Sequence, residues 1–454
     1  MSTKTAPGPR GWLQIRNMRA AQRDPVGFYT RAHERYGDVV HFRALGRFHW
    51  YLITHPDDVE YVLRTNGRNY VKPPRLTAQF ELLLGQGLLT SEGAHWLRQR
   101  RLSQPAFHRQ RLATLGSVMT TAAEETAGRW QGAARSGEPL DIASEMSHLT
   151  LRVVGRALLG ADLSAQVGPV GSVLADTLNF VEFRVRHPYA LPVSAPLPRN
   201  LRFRRAKKTF DEVVYNIIEV RRKTGEDTGD LVSMLLAARD EETGEGMTDE
   251  QLRDEVLTIL LAGHETTAVA LSWTWYELSR RPEVEETLHA ELDRVLSGCV
   301  PTLEDLPNLP YNRMVIDESL RLYPPAWGMA RQTREADEIR GYTIPANTPV
   351  SLIQYITHRH PEFWDDPEKF DPERFLPERS SGRPQFAYFP FGGGQRQCIG
   401  NNFALIEAQL ILATLAQRYR LRLVPGHPVK PEPIVTLRPR HGLLMTVEER
   451  HGRV

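Results

Sequence analysis

Between Thr248 and Arg281 runs a helical pattern of more than thirty residues that is apolar on most of its sides, and this segment limits the fold more than any other. Thr248-Asp-Glu-Gln251 reads as a capping box, in which a hydroxyl and a side-chain amide each satisfy a backbone group of the open first turn. Leu257, Leu260, Leu261, Val269 and Leu271 continue the pattern, and Pro282 ends it. At about 1.5 Å per residue such a helix spans on the order of 50 Å. A helix so long and so apolar has to run through the middle of a globular molecule.

Around it the chain reads as mainly α with a minor β region. Val39 to Phe42 and Trp50 to Thr54 flank Gly46 as a hairpin, and Pro349 to Tyr355 offers a similar run much later, so a small sheet gathers strands distant in sequence. Met314 to Leu322 reads as a helix stopped by Tyr323-Pro324-Pro325. A further helix is expected to begin at Cys398 and to continue through Phe403, Leu405, Ile406, Leu410, Ile411 and Leu415. Arg221 to Gly246 reads as a polar, mobile connection. Arg186 to Pro198 reads as a proline-rich surface loop that covers a substrate entrance.

Neither a repeat nor a compositional break divides the 454 residues, so the expectation is one catalytic domain over 1–454, with an irregular segment over 1–25. A chain of this length buries roughly three quarters of its unfolded surface and needs no disulfide or structural zinc. Its two cysteines, Cys299 and Cys398, stand far apart without clustered histidines, which argues against a tetrahedral metal site. No signal or anchor is apparent at the N-terminus, and the formal charge is only +2. The expectation is a soluble, cytoplasmic monomer without integral membrane association and without nucleic acid as a partner.

Phe391-Gly-Gly-Gly-Gln-Arg-Gln-Cys-Ile-Gly400 carries the chemistry. Its glycines let backbone approach a flat group, those at 394 and 400 permit tight turns, and the cysteine is delivered to a helix N-terminus, where partial positive charge favours a thiolate. Taken alone, Cys398 reads first as a buried structural thiol. On the long helix, Ala262 and Thr266 share a face, while Gly263 costs about 1 kcal/mol in a helix interior. Thr266 alone reads as a hydroxyl satisfied by the carbonyl one turn back, and His264 as a packing histidine. Glu318 and Arg321, three apart on a helix, read alone as a surface pair.

Together these strings resemble the cytochromes P450. Phe391 to Gly400 matches that family's cysteine signature, Ala262 to Thr267 its oxygen-activation segment, Glu318-Ser-Leu-Arg321 its Glu-x-x-Arg pair, and Pro372-Glu-Arg-Phe375 the segment that completes the pair. The resemblance runs from about Gly27 to Val447. It implies the P450 fold, a triangular prism with haem b held between the long helix and the cysteine helix. It also implies Cys398 as the iron ligand, whose thiolate favours cleavage of a bound O–O bond, a lever for which P450s are the standard example. The helix is expected to loosen at Gly263, with Thr266 hydrogen-bonding the bound oxygen and Glu265 relaying protons.

By the same resemblance, Glu318, Arg321 and Arg374 form a buried clamp for the cysteine loop. Trp96, Arg100, Arg331 and Arg396 hold the haem propionates, with Ala262, Phe391 and Gly400 against the porphyrin. The basic stretch Arg98 to Arg111 is expected to receive acidic electron carriers, a ferredoxin or flavodoxin served by its reductase and NAD(P)H. Phe80, Leu84, Phe180, Phe183, Leu261, Trp327 and Val435 are expected to line an apolar pocket for a fatty acid, terpenoid or polyketide, oxidised with O2. Arg75, Arg184 and Arg186 are candidate carboxylate anchors. Two rivals remain: a peroxide-using haem-thiolate enzyme, against which Glu265 and Thr266 speak, and a non-catalytic haem-based sensor or carrier.

Overall fold

The computed structural model describes residues 4–9, 20–44, 48–160, 167–187, 190–225 and 229–450, so Gly46 lies outside the described residues. Backbone contacts divide the chain into two compact units: Met1–Arg75, Asp317–Cys398 and Pro431–Arg438 form one, and Leu76–Ile316, Ile399–Lys430 and Pro439–Val454 the other. In chain order the main helices are α1 (Pro25–Tyr36), α2 (Pro74–Leu84), α3 (Gly93–Ser103), α4 (Arg109–Ser136), α5 (Ile142–Leu159), α6 (Val167–Arg186), α7 (Pro198–Thr224), α8 (Leu231–Ala237), α9 (Asp249–Ser279), α10 (Pro282–Leu296), α11 (Pro310–Leu322) and α12 (Asn401–Ala416).

The first unit is built on a five-stranded sheet. Its strands are β1 (Val39–Ala44), β2 (Phe48–Ile53), β3 (Tyr70–Val71), a strand at Met329–Thr333 and one at Pro349–Leu352. β1 and β2 are antiparallel, with Val40 opposite Leu52, and β2 runs parallel to the late strand, with Tyr51 opposite Val350. Alternation with period two explains why both faces are apolar: Val40, Phe42 and Leu52 pack on Phe28 and Ala32 of α1, while Val39, Tyr51 and Ile53 pack with Ile344, Val350 and Leu352. The run from Pro349 stops being strand at Leu352, and a short helix follows at Gln354–Thr357. The N-terminal segment is more regular than expected, since residues 20–23 are helical and the His41 amide donates to the Pro7 carbonyl at 2.8 Å.

The second unit surrounds α9. Thr248 and Gln251 exchange the two hydrogen bonds of a capping box, at 3.2 and 3.1 Å, and the helix then runs unbroken for 31 residues. Among the described residues α9 is the one helix long and apolar enough to cross a membrane, but 78% of its most apolar window is buried inside the protein. Leu252, Val256, Leu257, Leu260 and Leu261 share a core with Leu84, Phe180, Phe203 and Val232.

Two expectations change here, one through a carboxylate supplied by another helix and one through a local cap joined to the core. Helix α11 starts at Pro310 rather than Met314, because the amides of Tyr311 and Asn312 donate to the Glu291 carboxylate of α10 at 2.8 Å each. The stretch from Arg221 to Gly246 is not a plain connection. Helix α7 continues to Thr224, and α8 forms where Asp230 caps the Ser233 amide at 2.8 Å and Leu231, Val232 and Leu235 enter the core.

Three consecutive charged residues, Arg253 to Glu255, interrupt the apolar surface of α9 in its first half, and each has a task. Arg253 pairs with Asp211 of α7 and with Asp254, and the other Asp254 oxygen accepts the Gln86 amide at 2.7 Å. Glu255 accepts the Leu88 amide at 3.1 Å. The loop after α2 is thus held on the long helix by two carboxylates, and Gly85, with φ +54°, fits there because a Cβ would lie 2.1 Å from the Asp254 carboxylate. Removing one member of a buried charge network costs about 3–5 kcal/mol. Asp254→Ala is therefore expected to lower stability by about that amount and to abolish hydrogen-exchange protection of the Gln86 amide, and an exchange rate equal to wild type would refute this arrangement.

Candidate active site

The cysteine loop belongs to the first unit. Gly394–Arg396 forms a single 3-10 turn, and the Cys398 amide donates to the Phe391 carbonyl at 3.0 Å, closing the loop on itself. Gly394 has φ +66°, and a Cβ there would sit 1.9 Å from the Leu63 carbonyl oxygen, so a side chain is excluded twice over. The Cys398 thiol is exposed. Helix α12 begins at Asn401, not at Cys398, so the thiol precedes the helix by a turn at Ile399 and Gly400. Gly400 also differs from expectation: its φ is −90°, and a Cβ there would meet only Phe107 at 3.8 Å. Neither its backbone nor its protein neighbours require glycine, which suits a position reserved for a bound planar group.

Behind this loop, Glu318 and Arg321 are completely buried and doubly bonded, at 2.7 and 2.8 Å. Arg321 gives its remaining donors to the carbonyls of His358 (3.0 Å), Pro367 (2.7 Å) and Lys369 (3.1 Å). Arg374 joins Glu318 at 3.3 Å and donates to the carbonyls of Asp365, Asp366 and Lys369. The structure thus brings Glu318, Arg321 and Arg374 into one network. His358, which the sequence reading passed over, extends it: its ring accepts the Phe389 amide at 2.9 Å, two residues before the cysteine loop. Burial, reinforced by the Arg321 and Arg359 charges, pushes the His358 imidazole down to about 3, so it stays neutral and able to accept.

In the second unit, α9 is buried almost throughout, yet opens at Ala262, Gly263, Glu265 and Thr266. Ala262 is exposed in the middle of a core helix, and Glu265 and Thr266 flank the same opening. The helix does not loosen at Gly263, where a Cβ would touch Val154 at 3.4 Å. The Thr266 hydroxyl donates to the Ala262 carbonyl at 2.7 Å. His264 packs inward, its Nε2 within 3.0 Å of the Ser147 hydroxyl, and burial holds its pKa below the usual histidine range.

Directly behind the opening lies a group the sequence reading missed. Glu407 of α12 is completely buried, neither carboxyl oxygen has a hydrogen-bond partner among the described residues, and burial pushes its pKa up to about 8. The buried Thr267 hydroxyl of α9 offsets this only in part. A glutamate among Leu405, Ile406, Leu410 and Ile411 was the available signal, because an acid on an apolar helix is rarely accidental.

The other candidates divide between the units. Arg331 and Arg396 are half-buried in the first, as are Trp327, whose indole donates to the Ile434 carbonyl at 2.9 Å, and Val435. Trp96 is buried and Arg100 half-buried on α3 in the second. Leu84, Phe180 and Leu261 lie in the core rather than on an open wall, with Phe180 stacked on Phe203 at 4.0 Å. Phe80 packs on the edge of that core, and Phe183 is covered by Arg199 at 3.8 Å and His187 at 4.4 Å. The basic stretch from Arg98 is less available than expected. Arg98 donates to the Gly246 carbonyl at 2.8 Å, and Arg101 pairs with Asp240 and Glu242 at 3.0 and 2.5 Å. The side chains of Arg109 and Arg111 lie outside the described residues.

An exposed thiol on a glycine-braced loop in the first unit and, in the second, a long core helix opened beside an acid and a hydroxyl are each features that fit a haem-thiolate protein. The chain belongs to the cytochrome P450 family, whose model matches residues 6–447. It is 40% identical over 404 residues to cyclooctatin synthase of Streptomyces melanosporofaciens, covering 88% of this chain and 87% of that protein. It is 39% identical to cyclooctat-9-en-7-ol 5-monooxygenase of the same organism, covering 94% and 91%, and 35% identical to pentalenene oxygenase of Streptomyces avermitilis, covering 95% and 94%. The crystal structure of the cytochrome P450DA haem domain superposes with a TM-score of 0.90 at 28% identity, covering 99% of this chain and 98% of that one. The protein is a P450 monooxygenase that uses haem b and takes its electrons from NAD(P)H through redox partners.

Two predictions follow from the buried charges. Arg321→Ala strips five donors from Glu318 and three carbonyls, and is expected to cost about 3–5 kcal/mol and to yield protein without haem; normal haem content by absorbance would refute the clamp. The second concerns pH. Native Glu407 keeps its proton up to about 8 while the unfolded carboxyl loses it near 4.5, so this group makes stability fall as pH rises through that window. Glu407→Gln should flatten the slope, which urea unfolding at about pH 5 and about pH 8 would reveal, and a wild-type slope in the variant would place the proton elsewhere.

Proposed function

We propose that this protein is a terpenoid monooxygenase in which Cys398 ligates haem iron while Glu265 and Thr266 manage the protons of oxygen activation. The observation that carries the reading is the opening at Ala262, Gly263, Glu265 and Thr266 in a helix that is otherwise core, with an acid and a hydroxyl on it. When bound, the haem supplies an iron centre that activates dioxygen, and the thiolate strengthens it by donating electron density. Cys398 is presented by the Phe391–Cys398 closure, and the Glu318, Arg321 and Arg374 network keeps that loop in place. The Thr266 hydroxyl, which rests on the Ala262 carbonyl at 2.7 Å, turns from that acceptor to donate outward, and Glu265 resupplies its proton from solvent. Arg100, Arg331 and Arg396, with Trp96, would hold the haem propionates, and Gly400 and Phe391 would leave room for the porphyrin.

The substrate reading places terpenoids ahead of fatty acids. The three relatives above carry names of terpenoid-oxidising proteins, and they resemble this chain along nearly its whole length. Two of the cations considered as carboxylate anchors are already engaged. Arg184 donates to Gln79 at 3.0 Å and to the carbonyls of Ala190 and Leu191, and Arg186 pairs with Glu182 at 3.0 Å. An uncharged polycyclic hydrocarbon or alcohol asks nothing of them. We further assign a cytoplasmic monomer acting as one catalytic domain, served by a ferredoxin or flavodoxin and its reductase.

Optical titration of the ferric protein tests the substrate. A cyclic diterpene alcohol should convert the iron from low to high spin with saturation, at least about tenfold more tightly than a long-chain fatty acid, a gap of roughly 1.4 kcal/mol. The reverse order would overturn the terpenoid reading. Cys398→His should abolish the red-shifted absorbance of the reduced carbon monoxide complex, and its survival would overturn the ligand assignment.

A further inference from the structure

Within the first unit the fold brings two histidines and an aspartate to one point. His33 comes from α1, Asp38 from the turn before β1, and His360 from the segment after the short helix at Gln354–Thr357. One donor atom from each lies within 4.8 Å of the other two, and among the described residues this is the one such grouping of metal-ligating side chains. No linear spacing announces it, since His33 and His360 stand at opposite ends of the chain.

The meeting point is a single oxygen. Asp38 Oδ1 lies 3.0 Å from His360 Nε2 and 3.6 Å from His33 Nδ1. Ligands held about 2.0–2.2 Å from a tetrahedral zinc stand roughly 3.3 Å apart, between these two separations. Thr54, completely buried, donates to Asp38 Oδ1 at 3.0 Å and lies 3.0 Å from His33 Nδ1, so one hydroxyl anchors carboxylate and ring together. The side chains of Asp38 and His33 keep 19% and 15% of their surface exposed, which leaves a way in for an ion and room for a water as fourth ligand. Arg340, the cation that opposes a metal here, faces the other carboxylate oxygen at 3.6 Å and is itself bonded to Asp58 at 2.5 Å.

A hydrogen bond between His360 and Asp38 needs only one histidine. The second imidazole, converging on an oxygen that already takes the Thr54 hydroxyl, has its use in a metal, for which two imidazoles and a carboxylate are a suitable donor set. The Glu362 amide donates to His360 Nδ1 at 3.3 Å, a long bond in an exposed turn. It gives way as zinc takes Nε2 and the ring proton passes to Nδ1, so that His360 ligates as a neutral imidazole.

We infer that His33, Asp38 and His360 bind one zinc ion, which staples α1 and the start of β1 to the segment held by Arg321 and Arg374. His360 stands two residues from His358, whose ring accepts the Phe389 amide, so the staple braces the same path that leads to the cysteine loop. Its role is structural, and it stands independently of which substrate the enzyme oxidises.

The test is zinc content. Untagged, haem-loaded protein is stripped with EDTA, dialysed against micromolar Zn2+ and assayed for zinc and iron by atomic absorption, with the iron counting the protein. One zinc per haem iron is expected. Loss of an outer partner of a metal site costs about 10–100-fold in affinity, so loss of a ligand in His33→Gln or His360→Gln should weaken binding by about 100-fold or more. Zinc should raise the unfolding temperature of the wild type and of neither variant, and Mg2+, which prefers oxygen ligands, should raise none. The control is His49→Gln, which breaks the close pair of His41 Nε2 and His49 Nδ1 at 2.9 Å and should bind zinc as wild type does. Every variant is first checked for an unaltered carbon monoxide spectrum; where His360→Gln loses it, His33→Gln, half-buried on α1, decides the outcome alone. The inference is overturned by wild-type protein that takes up no zinc, by zinc retained at full affinity in the ligand variants, or by its loss in His49→Gln.

Discussion

Everything near the cysteine depends on one buried guanidinium. Arg321 has no exposed surface and five N–H donors, and all five are used: two on the Glu318 carboxylate and one each on the carbonyls of His358, Pro367 and Lys369. Arg374 takes the carbonyls of Asp365 and Asp366 and shares that of Lys369. Most of the chain from His358 to Asp371 has neither helix nor strand to satisfy it, and a buried carbonyl without a partner is costly. Two arginines therefore stand in for secondary structure across that segment. The arrangement reaches the cysteine loop through the His358 ring, which accepts the Phe389 amide.

The second unit solves a different problem, how to bury a helix of 31 residues and still leave it chemically open. Several of its polar residues find partners outside the helix: Asp254 and Glu255 in the amides of the loop after α2, Arg253 in α7, and His264 in Ser147 of α5. That leaves the stretch around Ala262 and Thr266 as the opening. Glu407 stands apart from this pattern, since neither carboxyl oxygen has a hydrogen-bond partner within normal distance among the described residues and the group avoids the cost of a buried charge by keeping its proton. Two buried residues held neutral by desolvation, His358 and Glu407, thus serve the cysteine loop and the rear of the opened helix.

The relatives bring substrate chemistry into view that the chain's own apolar residues did not specify. Phe180 and Leu84 were natural choices for a pocket wall, but a large apolar side chain at a helix interior fits a core as well as a cavity. The stacking of Phe180 on Phe203 settles its place. The arginines near the loop entrance show the same ambiguity in charge: Arg184 and Arg186 look available in sequence and are engaged in the fold.

What the sequence determined by itself was whatever is encoded within one element or one contiguous motif. The capping box at Thr248, the apolar length of α9, the hairpin of β1 and β2, the left-handed turn at Gly394 and the Glu-x-x-Arg spacing at Glu318 all follow from residues a few positions apart, where backbone geometry links pattern to structure directly. Tertiary structure decided what depends on partners distant in the chain. Glu291 moves the start of α11 to Pro310, the core that takes up Leu231, Val232 and Leu235 turns part of an expected connection into α8, and the thiol comes to precede α12 instead of opening it. The burial of Glu407, the neutrality of His358 and the engagement of Arg98 and Arg101 were equally out of reach. A hydrogen bond or a desolvation cost is set by what surrounds a group in space, and linear spacing carries no record of neighbours that the fold brings from a hundred residues away.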